Sequence, residues 1–204
     1  MNEKKILDLM NKNNGIITTK QIKELDIPRI TLSRMVEKKL IEREKRGLYV
    51  LPSSWGDEYY NLLFSTTDTV FSHGTALYLL GLSERVPLIY DITVPVGFNI
   101  ESIRKNEKTK LHYVKKELFN LGKTEIKSPQ GQIVSCYDAE RCICDMIKNK
   151  EKEDLGILKY AIKEYLSNNK LKNIIKLTEY AGTLGIEREL RNYLEVLLWL
   201  RLKT

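Results

Sequence analysis

The most constraining feature of the chain lies between residues 18 and 51. Two short helical patterns are separated by Asp26-Ile27-Pro28, and the second runs straight into two apolar segments that flank a charged turn. Proline cannot continue the first helix, and the residue before it is pushed out of the helical region. A new helix therefore starts near Arg29 and runs to about Lys39. Short helix, tight turn, second helix is the helix-turn-helix plan. Upstream, Ile6, Leu7 and Met10 sit at helical spacing over Glu3 to about Asn13, and Asn13-Asn14-Gly15 ends that pattern. Ile16-Ile17 is a short apolar run. Thr18 or Thr19 then caps the next helix, with Ile22 and Leu25 expected to face inward.

Wheel arithmetic at about 100° per residue sorts the helix that starts at Arg29. Leu32, Met35, Val36 and Leu40 group on one side. Arg34 lies nearly opposite, flanked by Ile30 and Lys38, with Thr31 and Ser33 at the margins. Such a face suits the major groove: Arg pairs bidentately with guanine, Ser and Thr reach bases or phosphates, and Ile touches a thymine methyl. Lys38 and Lys39, near the helix end, are placed for phosphate. Leu40-Ile41-Glu42-Arg43 and Leu48-Tyr49-Val50-Leu51 flank Glu44-Lys45-Arg46-Gly47, which reads as a hairpin. A basic hairpin tip directly after a recognition helix is a wing, and Lys45 and Arg46 would approach the backbone or minor groove.

Charge follows the same division. The chain carries 34 Lys+Arg and 27 Asp+Glu over 204 residues, a net of +7. Residues 1–52 hold 12 basic and 7 acidic residues, a net of +5, which leaves 22 against 20 for the rest. A quarter of the chain holds most of the excess, the signature of a separate basic module. Pro52-Ser53-Ser54 reads as a linker, so the expected domains are 1–52 and 53–204.

The remainder reads as a larger α/β domain ending in several helices, for a mixed α+β chain overall. A helix is expected over Asp57 to about Ser65, a strand at Val70-Phe71, and a buried helix through Ala76–Leu80 closed by Gly81. Strands follow at Leu88 to Val94 and Leu111–Val114. Thr124–Lys127 and Gln132–Cys136 flank Pro129-Gln130-Gly131 as a hairpin. Four helices close the chain, over 138–149, 153–168, 171–183 and 186–203. The last, with Leu190, Tyr193, Leu194, Leu197, Leu198 and Leu200, is apolar on more than one face. The longest charge-free stretch, Thr69 to Ser83, is too short for a membrane span. No signal peptide is visible, because only two apolar residues separate Lys4-Lys5 from Asp8. Three cysteines crowded into 136–144 make no disulfide framework, so reduced thiols and a cytoplasmic location are expected.

Chemical motifs are sparse. Cys136-x5-Cys142-x-Cys144 fits no usual zinc spacing, and His73 and His112 are far apart in sequence, so no metal ligand is assigned. Walker, dinucleotide and nucleophile-elbow motifs are absent, so neither cofactor nor catalytic residue is expected. The best carboxylate set for a metal-dependent nuclease is Asp91 with Glu125 and Lys127, and Glu-x-Lys is cheap in a chain this rich in both. Asp138 can cap the helix that follows it, with Arg141 and Asp145 as an i,i+4 pair and Cys142 on the apolar face. The simpler reading of that segment is a well-capped helix entering the core.

Several stretches together resemble the AbiEi family, the antitoxin and repressor half of type IV toxin–antitoxin pairs in bacteria. They are Ile17-Thr18-Thr19 with the helix-turn-helix, Ser33-Arg34, and Arg46 to Pro52. Further on they are Ser72 to Leu82, Asp91-Ile92-Thr93-Val94-Pro95, and Tyr137 to Asp145. Gly74 departs from the acidic residue expected there in many relatives. The resemblance implies a winged helix that binds inverted repeats upstream of its own operon. It also implies a C-terminal domain that counters a nucleotidyltransferase-like toxin without stable direct contact, in abortive defence against phage. Base readers are expected at Thr31, Ser33 and Arg34. Phosphate contacts are expected at Thr19, Lys20, Arg29, Lys38, Lys39, Lys45 and Arg46. The alternative is a stand-alone regulator whose C-terminal domain senses a ligand or dimerises. The basic segments Arg104-Lys105 to Lys110 and Lys115-Lys116 either extend the DNA footprint or are simply solvated.

Overall fold

The structure is a computed structural model that describes residues 2–54, 56–64, 66, 68–98, 103, 106–169 and 171–201, the last six of these by backbone alone. It is mixed α+β and forms two compact units, residues 1–61 with 128–132, and residues 62–127 with 133–204. Arg104-Lys105 and the side chains of Leu197, Leu198 and Leu200 lie outside what is described.

In the first unit, α1 (Asn2–Lys12) ends in a turn where Asn14 and Gly15 both take positive φ, at 54° and 81°. The chain then enters β1 (Ile16–Thr18) and α2 (Thr19–Glu24). Thr18 caps α2 in a full capping box. Its hydroxyl accepts the Gln21 N–H at 3.3 Å, and the Gln21 side chain accepts the Thr18 N–H at 2.9 Å. The turn after α2 passes through Asp26 at φ 53°, and α3 (Ile30–Glu37) follows. The wing is β2 (Glu42–Lys45) and β3 (Leu48–Val50), joined at Arg46-Gly47 with Gly47 at φ 88°. Sheet order is β1-β3-β2, all antiparallel, with a bulge between Arg43 and Lys45. Ile6, Met10, Ile17, Ile22, Ile27, Leu32, Met35, Ile41 and Tyr49 make one apolar core.

Two inward expectations fail here, for one reason. Leu25 is 45% exposed and Leu40 is 37% exposed. Each stands at a helix end, and the next or preceding residue, Asp26 or Lys39, is left-handed. The twist brings the chain back toward the core, and Ile27 and Ile41 fill it instead.

The α4 helix (Glu58–Leu63) carries the chain into the second unit. There β4 (Val70–Phe71), β5 (Tyr90–Pro95), β6 (Thr109–Val114), β7 (Lys123–Lys127) and β8 (Ile133–Tyr137) form one sheet in the order β6-β5-β4-β8-β7. The pairs β5·β6 and β4·β8 are parallel; β4·β5 and β7·β8 are antiparallel. The strand expected from Leu88 begins only at Tyr90 and runs through Pro95. Leu88 and Ile89 are 87% and 54% exposed, because pairing with β6 starts at Tyr90 opposite Thr109.

Helices α5 (His73–Leu79), α6 (Ala139–Lys148), α7 (Leu155–Ser167), α8 (Ile174–Leu184) and α9 (Glu187–Arg201) complete the unit. Every residue of α6 from Ala139 to Ile147 is buried, so it is the central helix, with α5, α7, α8 and α9 packed around it. Asp138 caps it by accepting the Arg141 N–H at 2.9 Å. Gly185 at φ 70° closes α8. Cys136, Cys142 and Cys144 are buried and free of disulfides, and burial raises all three thiol pKa values. Among the described residues no helix is long and apolar enough to cross a membrane.

Candidate functional site

The surface of α3 is sorted as its sequence pattern requires. Leu32 and Met35 are buried, while Ser33, Arg34 and Lys38 are exposed and Thr31 is half-buried. Ile30 is 55% exposed in the first turn, an apolar side chain left in water beside the polar ones. Arg29 precedes α3 and is exposed, as are Lys20 in α2 and Lys39 just past α3. The Thr19 N–H donates to the Gly47 carbonyl at 2.9 Å, which ties the first turn of α2 to the wing turn and brings Thr19 and Lys20 near Arg46. Among the described residues, Lys20, Arg29, Arg34, Lys39 and Arg46 have no carboxylate partner, so their charge is uncompensated.

Two of the expected phosphate contacts are already engaged. Lys38 Nζ lies 2.7 Å from Glu3 on α1, both side chains exposed. Lys45 Nζ donates to the Asn61 carbonyl at 2.7 Å, and the Asn61 amide donates to Glu44 at 3.1 Å. Exposed pairs of this kind are worth about 0–1 kcal/mol and exchange readily for a phosphate.

The second unit holds a cleft of about 450 Å³ whose lining includes His73, Thr93, His112, Arg141, Lys148 and Asn149. Parallel pairing sets Asp91 beside Lys110 and Thr93 beside His112. His112 Nε2 lies 2.8 Å from Asp91 Oδ1, and Lys110 Nζ lies 2.8 Å from Glu153 and 3.8 Å from Asp91. The His112 ring stacks on His73, with centroids 3.6 Å apart and planes 13° from parallel. His73 Nδ1 is 3.0 Å from the Ser72 hydroxyl, which also accepts from Thr93 at 2.8 Å. Burial first, then the charges of His112, Lys110 and Arg141, hold the His73 pKa well below its ordinary value. Sequence reading passed over this group, because the two histidines meet only through the pairing of β5 with β6.

The nuclease set is not assembled. Asp91 is on β5 and Glu125 and Lys127 are on β7, with β4 and β8 between them. At about 4.8 Å per strand that places them roughly 14 Å apart, too far to share one metal. Asp91 is instead engaged by His112 and Lys110.

The segment from Asp138 to Asp145 builds structure. Arg141 Nε pairs with Asp145 at 2.9 Å, and its Nη1 donates to the Leu118 and Leu121 carbonyls at 2.7 and 2.8 Å. Its guanidinium stacks over Tyr137 at 4.4 Å. On the other side of α6, Glu140 accepts the Tyr165 hydroxyl at 2.8 Å, and Lys176 pairs with Asp138 at 2.8 Å. Burial raises the Asp145 pKa, and Arg141 opposes that shift.

A helix-turn-helix followed by a basic β-hairpin, with Arg34 exposed on the second helix and Arg29 and Lys39 at its ends, defines the first unit as a winged helix. Residues 4–52 match the family model described as "Transcriptional regulator, AbiEi antitoxin". The match bears out the AbiEi resemblance over that segment and stops at residue 52. No curated protein matches the chain.

Proposed function

We propose that this protein is a sequence-specific repressor of its own operon and the antitoxin of a type IV pair. In this reading residues 1–52 read inverted repeats in double-stranded DNA, with Thr31, Ser33 and Arg34 on base edges. Thr19, Lys20, Arg29, Lys38, Lys39, Lys45 and Arg46 contact phosphate. Residues 53–204 counter a nucleotidyltransferase-like toxin, without a stable complex and in the cytoplasm. The observation that carries the reading is the set of exposed cations without a carboxylate partner among the described residues, Lys20, Arg29, Arg34, Lys39 and Arg46, on the segment that matches a regulator family. The cleft in the second unit favours one alternative, a stand-alone regulator whose larger unit senses a small ligand.

Gel-shift titration of the full chain on its upstream DNA and on a scrambled duplex tests the first role. Specific retention supports it, and equal retention of both duplexes removes it. Co-expression with the neighbouring gene tests the second role. Rescue of growth by an Arg34→Ala chain that no longer binds DNA separates antitoxicity from repression. Failure of the intact chain to rescue favours the stand-alone regulator.

A further inference from the structure

Three stretches of the second unit converge on one point. His73 opens α5, His112 sits within β6, and Glu153 follows a 3-10 turn at Lys150–Lys152. One ligand atom from each lies within 4.8 Å of the others. We propose that His73, His112 and Glu153 form a binding site for a divalent first-row transition metal, with zinc as the natural probe. Two imidazoles and a carboxylate are a ligand set that zinc and ferrous iron accept.

Both imidazoles are oriented from behind. Asp91 holds His112 Nε2 at 2.8 Å and leaves Nδ1 for coordination. Ser72 holds His73 Nδ1 at 3.0 Å and leaves Nε2, whose contact is the Asn149 amide at 3.4 Å. Partners of this kind fix the ring and tautomer of metal-ligating histidines. His73 is also held at φ 48°, left-handed for a buried residue with a Cβ. Strain of that sort gathers where side chains must be aimed. Both rings also line the cleft described above.

Two groups must move. The Lys110 ammonium now pairs with Glu153 at 2.8 Å, and its side chain is exposed enough to swing out as a dication enters. The rings are stacked, so their in-plane lone pairs run side by side, and one ring must turn toward the other to close the coordination sphere. Lys110 is therefore a competitor for the site, and its removal should tighten metal binding.

The site stands independently of the DNA-binding reading. The full chain, stripped with chelator and desalted, is titrated with zinc by calorimetry, and retained metal is counted by mass spectrometry. Expected are about one zinc per chain, a loss of about tenfold or more in affinity for Glu153→Gln and His112→Gln, and tighter binding for Lys110→Met. No retained zinc, or equal retention by His112→Gln, overturns the proposal. So does weaker binding by Lys110→Met, a surface change whose reading does not depend on the histidine variants folding.

Discussion

Thr18 does two things at once: it ends β1 and it caps α2. Its hydroxyl and the Gln21 side chain satisfy each other's backbone N–H groups at the helix start. Thr18→Ala should therefore destabilise the first unit by about 1 kcal/mol, read as a shift in denaturant midpoint with unchanged slope. Arg34 is the opposite case, an exposed side chain with no structural partner among the described residues. Arg34→Ala should leave stability unchanged, weaken operator binding by about 1–3 kcal/mol and relax sequence preference. Equal loss on operator and scrambled DNA would demote Arg34 to a phosphate contact, and no loss would remove it from the interface. Gly122 has φ 76°, and a Cβ there would meet Arg141 Cβ at 2.7 Å. Gly122→Ala forces both backbone strain and overpacking, so we expect a loss of about 1–3 kcal/mol, visible as a lower melting temperature.

At the scale of elements, what the sequence revealed was what is locally encoded. Pro28 and Gly47 announce the turn and the wing, and the spacing of Leu32 and Met35 against Arg34 orients α3. The misreadings at Leu25 and Leu40 came from Asp26 and Lys39, which adopt left-handed backbone without the glycine that usually signals it. The strand boundary at Tyr90 was hidden because pairing, not propensity, starts β5. The stacked histidines and the scattered nuclease set share one cause: strand order, which no single segment encodes. The same group sets a pH response. In the fold His73 stays neutral far below its ordinary value of 6.5, whereas unfolded it would protonate near that value. The unfolded state then binds the extra proton. The stability that neutral His73 contributes is therefore full above about pH 6.5 and falls by up to about 1.4 kcal/mol per unit as pH drops below it. Denaturant melts in chelator from pH 7.5 to 5.5 would show this slope, and His73→Asn, if folded, would flatten it.

For the whole molecule, the charge of +7 is concentrated in one place, with +5 on the first 52 residues. If about six phosphates are neutralised there, log affinity should fall with log salt at a slope of about −5. A slope near −2 would mean that only the recognition helix engages. The larger unit, with 22 basic and 18 acidic residues spread over more than twice the length, should contribute little to that slope unless its lysines join the footprint.

The first unit is not one stretch of chain. Residues 128–132 belong to it, where Asn14 donates to the Gln130 carbonyl at 2.8 Å, Gln132 donates to the Asn13 carbonyl at 2.7 Å, and Ser128 bonds to buried Asp57. Gene fragments ending at residue 52 or 61 strip these partners from the turn after α1. For protein engineers the reader is thus not a detachable cassette. A graft that exchanges residues 1–52 for those of another regulator inherits a loop, 128–132, that meets the Asn14 side chain and the Asn13 backbone carbonyl. The exchange should therefore hold better when that distant pentapeptide is transplanted too.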